Sequence, residues 1–146
     1  MSREQRILGK IYLPKEILVK PGKLTNEEYE MVKKHPLWGV TLLSGNEKLE
    51  VAKNIALYHH ERYDGSGYPF GLREEAIPIE TQIVGLVDVY DALRSERPYK
   101  KALSHEEATM VIFHGDGRTN PSHFSPRLLK LFAEYEEEIR RIWESE

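Results

Sequence analysis

The sequence predicts an all-α domain, a single helical bundle of five to six helices with one glycine-rich loop at about residues 61–78. Three observations predict it. Apolar residues recur at three- and four-residue spacing through most of the chain. Two capping boxes, Thr25-Asn26-Glu27-Glu28 and Ser104-His105-Glu106-Glu107, mark helix starts. No segment of strand length alternates apolar with polar. The length of 146 residues suits one domain spanning the whole chain, since domains run to roughly 100–200 residues. Residues 1–24 read as an irregular N-terminal segment.

Taken in order, the helix behind Thr25 carries Tyr29, Met31 and Val32 until Pro36 disfavours helix at His35. A second helix runs from Asn46 to about Tyr58, with Leu49, Ala52, Ile55 and Ala56 on one face. Asp64-Gly65-Ser66-Gly67-Tyr68-Pro69-Phe70-Gly71 holds three glycines and a proline in eight residues, which makes it a loop. Helix resumes near Pro78 and runs to about Leu93, with Ile83, Leu86, Val87, Tyr90 and Leu93 as its stripe. The helix opened by Ser104 stops at Gly115-Asp116-Gly117. Ser125-Pro126 supplies an N-cap and a first-turn proline for a C-terminal amphipathic helix over 125–143. That helix carries Leu128, Leu131, Phe132, Tyr135, Ile139 and Ile142. Glu136→Arg140 and Glu137→Arg141 stand at the favourable i,i+4 spacing on its outer face.

Composition removes several function classes. Lysine plus arginine number 21 against 24 acidic residues, a formal charge of −3, which is wrong for sequence-independent binding to long nucleic acid. There is no cysteine, so disulfides and thiolate metal sites are excluded. The longest apolar run, Ile83–Val87 with Gly85 inside it, is far short of the roughly 20 residues that cross a bilayer. The N-terminus has no apolar segment of the secretory kind. The expectation is a soluble, cytoplasmic domain.

Four features can carry chemistry, and each has a plain structural alternative. His59-His60-Glu61 ends a helix just before the glycine loop; histidines there also cap the helix dipole. Asp88 and Asp91 sit in the most apolar helix, with the small residues Gly85 and Ala92 flanking Asp88, so Asp88 is either a solvated outer residue or a ligand at a close helix approach. His35-Pro36 is by itself a helix end. The glycine loop with Arg97-Pro98-Tyr99-Lys100 downstream can hold an anion through backbone N–H groups and cations, or be an ordinary charged surface. Together, His35, His59, His60 and Asp88 form a nitrogen and oxygen set next to a phosphate-friendly loop, as in sites where metal ions act on a phosphoryl group.

The run His59-His60-Glu61-Arg62-Tyr63-Asp64-Gly65-Ser66-Gly67-Tyr68-Pro69 resembles the HHE…DGxGYP signature of the HD-GYP family, bacterial all-α metal-dependent phosphodiesterases of cyclic di-GMP. Leu18–Leu24, Lys34-His35-Pro36, Gly71-Leu72, Ile77-Pro78, Val87–Leu93 and Ser95–Leu103 follow the family order, so the resemblance covers roughly residues 8–132. It implies metal ligation by His35, His59, His60 and Asp88, with iron or manganese as the ion. It implies that Lys10 is catalytic, facing substrate phosphate or metal-bound water, that Tyr68, Arg97 and Lys100 contact the cyclic di-GMP, and that Asp64 and Asp91 hold the loop or orient the ligands. It also implies contact with GGDEF-type domains through the Gly-Tyr-Pro loop.

The sequence departs from that pattern at specific positions. Arg6 and Ile7 stand where the family has its His-Asp dyad, and the helices before the dyad lie outside the chain. Gln82 replaces a common arginine, and Ser125 a common aspartate. The expectation is therefore a phosphodiesterase-type domain with weakened or lost catalysis, and the alternative is a non-catalytic module that binds a cyclic dinucleotide or a protein. A homodimer covering exposed apolar surface is the third possibility.

Overall fold

The computed structural model describes residues 10–45, 47–96 and 101–145. Among them are eight α-helices, joined by turns and single 3₁₀ turns, and no strand. The all-α expectation holds. The five to six expected helices are eight, for local reasons.

α1 (Lys15–Leu18) is one turn inside the segment expected to be irregular. α2 (Asn26–Val32) starts at its expected capping box: the Thr25 hydroxyl accepts from the Glu28 N–H at 3.2 Å, and Glu28 accepts from the Thr25 N–H at 2.7 Å. Pro36 does end that helix, but it also sits in the first turn of a further one, α3 (His35–Leu42), where a missing N–H costs nothing. α4 (Glu50–Tyr58) follows a 3₁₀ turn over Glu47–Leu49, so the second expected helix starts later than Asn46. α5 (Ile79–Arg94) and α6 (His105–His114) match their expected positions, and the second capping box is complete, with Glu107 N–H donating to the Ser104 hydroxyl at 3.1 Å.

The expected continuous helix over 125–143 is two: α7 (Pro126–Glu134) and α8 (Glu136–Glu144), broken at Tyr135. The break redirects the charges. Instead of pairing with Glu136, Arg140 meets Glu106 of α6 at 3.1 Å and Glu144 at 3.3 Å; Arg141 meets Glu138 rather than Glu137.

The core lies where α5, α6 and α7 meet. Leu86, Tyr90, Leu93, Ala108, Ile112, Phe124, Leu128 and Phe132 form one buried cluster. Phe132 is edge-on to Tyr90 at 5.6 Å and to Phe113 at 6.0 Å. Two residues of the expected α5 stripe, Ile83 and Val87, are instead half exposed, because α6 covers the Leu86 side and α4 the Gly85 side. Leu131, Tyr135 and Ile142 are likewise exposed, since the break at Tyr135 turns α8 so that Ile139 and Trp143 do the packing. Arg94 is buried and bonds Glu144 at 2.9 Å, with its guanidinium 4.4 Å from the Trp143 ring, which fixes α8 to the end of α5.

α3 packs on α4, and α4 on α5. Asn54 donates to Glu80 at 2.8 Å, and the His59 carbonyl lies near Gly85, so α4 and α5 run in the same direction and deliver the His59-His60 pair beside the middle of α5. No helix among the described residues is long and apolar enough to cross a membrane.

Candidate functional site

Three imidazoles far apart in sequence converge here. His35 opens α3, while His59 and His60 follow the last turn of α4, and one ring nitrogen from each lies within 4.8 Å of the others. His35 is 1% exposed and His59 is 9% exposed, while His60 is half-buried on the cavity wall.

Their protonation follows from the backbone. His35 Nδ1 lies 2.6 Å from the Val32 carbonyl, and His59 Nδ1 lies 3.0 Å from Ile55 O and 3.1 Å from Ala56 O. A carbonyl only accepts, so both Nδ1 atoms carry the proton and both Nε2 atoms present lone pairs. Those two Nε2 atoms face each other at 3.4 Å. A second proton is disfavoured: burial, then the neighbouring His35 and the Lys10 charge, lower the His59 pKa to about 4. Burial and the other two imidazoles lower that of His60 to about 2, and burial also lowers that of His35. Two opposed lone pairs are relieved by a shared cation. Their separation matches the roughly 3.0–3.4 Å between adjacent nitrogens on one ion with bonds near 2.1 Å. The residues fit a divalent transition metal, and the carbonyls orient the rings as outer partners of metal-bound histidine do.

The loop beside them is braced without any metal. Glu61, 9% exposed, accepts from Phe70 N–H at 2.7 Å with one oxygen and from Leu72 N–H at 2.9 Å with the other. Gly67 runs so close to the preceding turn that a Cβ would meet the His60 carbonyl and lie 2.5 Å from the Arg62 nitrogen. Asp64 accepts from the Ser66 N–H at 2.9 Å and from the Ser122 hydroxyl at 2.7 Å, tying the loop to the segment before α7. Partial burial pushes the Asp64 pKa up, and these hydrogen bonds overcome it, holding the carboxyl at about 2. Tyr68 lies flat on His60, ring centroids 4.6 Å apart, and burial raises its phenol pKa.

A cavity of about 520 Å³ opens over His59 and His60, of a size that holds a small-molecule ligand. Lys10, Asp88, Asp91 and Tyr68 line it too.

The HD domain family matches residues 5–121. The chain belongs to that family. The resemblance read from the histidine and Gly-Tyr-Pro motifs is borne out by relatives. A cyclic di-GMP phosphodiesterase of Vibrio cholerae is 44% identical over 142 residues, covering 92% of this chain and 28% of that protein. A cyclic di-GMP phosphodiesterase response regulator of Xanthomonas campestris is 45% identical over 137 residues, covering 92% of this chain and 35% of its own. A 3′3′-cGAMP-specific phosphodiesterase of Vibrio cholerae is 40% identical over 137 residues, covering 92% and 26%. This HD domain thus spans about a quarter to a third of the length of these relatives.

Of the expected site residues in this HD domain, His35, His59 and His60 come together. Asp88 shares their cavity from α5, outside the tight group of three nitrogens. Lys10 lines the cavity, and its charge is one of the causes lowering all three histidines. Asp91 is approached at 3.4 Å by both the Ser95 hydroxyl and the Trp143 indole N–H, which makes it a link to α8 as well as a cavity residue. Arg97 and Lys100, together with Arg6 and Ile7, lie outside the described residues. Glu61 was missed as a site residue, although its place beside the histidine pair, ahead of a loop full of N–H groups in need of an acceptor, was the available signal.

Proposed function

We propose that this HD domain binds a cyclic dinucleotide, cyclic di-GMP first, against a transition metal held by His35, His59 and His60 with Asp88, and that its phosphodiester hydrolysis is weakened or absent. The observation that carries the reading is the pair of opposed Nε2 lone pairs in the histidine cluster. Iron or manganese suits the nitrogen and oxygen donors. A divalent ion supplies Lewis-acid charge to a phosphoryl oxygen when bound there.

The chain's own groups do the rest. The Lys10 ammonium lines the cavity and attracts a phosphate oxygen. Tyr68 and the Gly67 backbone form the wall against which the nucleotide lies. Arg97 and Lys100 are, by the family resemblance, the further cations for the nucleotide. Against turnover stands the sequence itself: Arg6 and Ile7 replace a histidine and a carboxylate, so a second ion would lack a carboxylate to offset the repulsion between two cations.

The test is metal analysis of the purified chain with added manganese or iron, together with a chromatographic assay for cyclic di-GMP turnover. Bound metal at micromolar levels with slow or no hydrolysis is expected. Absence of bound metal overturns the reading, and turnover in the ordinary enzymatic range of 1–10³ s⁻¹ overturns its catalytic part.

One observation favours a second reading, a metal-independent binding module: the loop owes its shape to Glu61 and Asp64, which need no ion. Calorimetry with and without chelator separates the two. That module is also the reading under which a GGDEF-type domain docks on the exposed Phe70 of the loop. Replacing cyclic di-GMP by 3′3′-cGAMP in the same titration defines the nucleotide.

A further inference from the structure

One aromatic ring on the cavity wall has no part in the metal or loop chemistry. Tyr29, on α2, lines the cavity yet is 48% exposed. Its ring meets Tyr68 edge-on, centroids 6.4 Å apart and planes at 77°. Since Tyr68 lies flat on His60, the three rings form a file running from the histidine cluster outward to the rim. A scattered exposed aromatic needs no explanation, but one that continues such a file into a cavity mouth is placed as a stacking surface. The Lys33 ammonium lies over the Tyr29 ring, 5.5 Å from its centroid, and is ion-paired with Glu30, so it holds one side of that ring in place. The helix beneath is fixed by its capping box and by the Lys20–Glu28 ion pair.

We infer that Tyr29 is the nucleobase-stacking residue of this cavity and sets the affinity for a cyclic dinucleotide without touching its phosphates. The inference rests on the proposed function: a phosphate held at the Lys10 and histidine end directs its nucleobase along the file. Tyr68 gives one face to His60 and stays in the cavity wall, while the half-exposed ring of Tyr29 reaches the cavity mouth, where a base can lie against it. Stacking tolerates any nucleobase, so cyclic di-GMP and 3′3′-cGAMP are expected to respond alike.

The test is calorimetric titration of cyclic di-GMP onto the full chain loaded with manganese, for wild type and for Tyr29→Ala, Tyr29→Leu and Tyr29→Phe. Tyr29→Ala and Tyr29→Leu are expected to weaken binding by roughly 5- to 150-fold, the range for one lost base–aromatic stack. Tyr29→Phe keeps the ring and stays within about twofold of wild type. Bound manganese and the affinity for inorganic phosphate stay unchanged in all three variants. The inference is overturned if Tyr29→Ala binds like wild type, if Tyr29→Leu matches Tyr29→Phe, or if phosphate affinity falls in parallel, which marks a structural role. Tyr29→Leu preserves apolar bulk, so the comparison survives if the alanine variant fails to fold. Wild-type protein that binds metal and phosphate but no cyclic dinucleotide overturns the proposed function and this inference together; normal wild-type binding with an indifferent Tyr29→Ala overturns this inference alone.

Discussion

The two halves of this domain are stabilised by different means. From α5 onward, eight residues pack into one apolar cluster, and Ala108 and Ile112 are wholly buried. Before α5, Leu13, Ile55, Ala56 and Ile77 are removed from water together with His35, His59 and Glu61, outside that cluster, while Ile11, Tyr12, Leu37, Leu42 and Val51 remain exposed. The first half spends much of its interior on imidazoles and on a carboxylate that closes a loop. The contrast teaches that the site is built outside the one contiguous apolar cluster and leans on it through α4 against α5.

The contrast can be broken or sharpened by measurement. Phe132→Ala removes a ring from the apolar cluster and is expected to cost about 3–5 kcal/mol in urea unfolding. Leu37→Ala, in the other half and 40% exposed, is expected to cost well under about 1 kcal/mol. Equal costs would erase the distinction. Acid is expected to act through the histidine half. In metal-free protein the folded state holds His59 neutral down to about pH 4, whereas an unfolded imidazole takes up its proton near 6.5. The unfolded state therefore binds more protons in that window, so stability is full above pH 6.5 and falls as pH drops toward 4, by an amount on the order of 3 kcal/mol. His59→Gln should reduce that slope in a pH series of thermal melts by the share of His59, leaving the contribution of His60, whose pKa is lowered further. Manganese at a hundred times its dissociation constant should stabilise the protein by about 2.7 kcal/mol, with hydrogen-exchange protection gained first in α3 and α4, and His35→Ala should abolish the gain. Glu61→Gln replaces one accepting oxygen by an amide that cannot accept, leaving a loop N–H unpaired. A loss of about 1–2 kcal/mol is expected, together with faster exchange at Phe70 or Leu72.

Much of this was legible in the sequence because it is local. Thr25 with Glu28 and Ser104 with Glu107 start helices through contacts within one turn, and both boxes formed as read. The glycine loop was legible for the same reason. What was not legible depends on partners distant in the chain. Pro36 reads locally as a stop, yet it also starts α3, whose first residue is then held behind the wall formed by α4. Tyr135 carries no breaker signal; the turn there is set by α8 docking through Arg94, Glu144 and Trp143, some fifty residues apart. Ile83 and Val87 belong to the apolar stripe by spacing, but which part of a stripe is covered depends on where α4 and α6 sit. In the site, motif spacing brought the three histidines to attention, whereas the opposed Nε2 atoms could be seen only once the carbonyls of Val32, Ile55 and Ala56 were in place.

That arrangement has a consequence for competition among ions. A corner walled by three nitrogens offers little to magnesium or calcium, which prefer oxygen and give up water reluctantly. Borderline metals, although scarcer, gain from each imidazole in turn. The donor chemistry of the three imidazoles is thereby better matched to such metals than to the most abundant divalent cations.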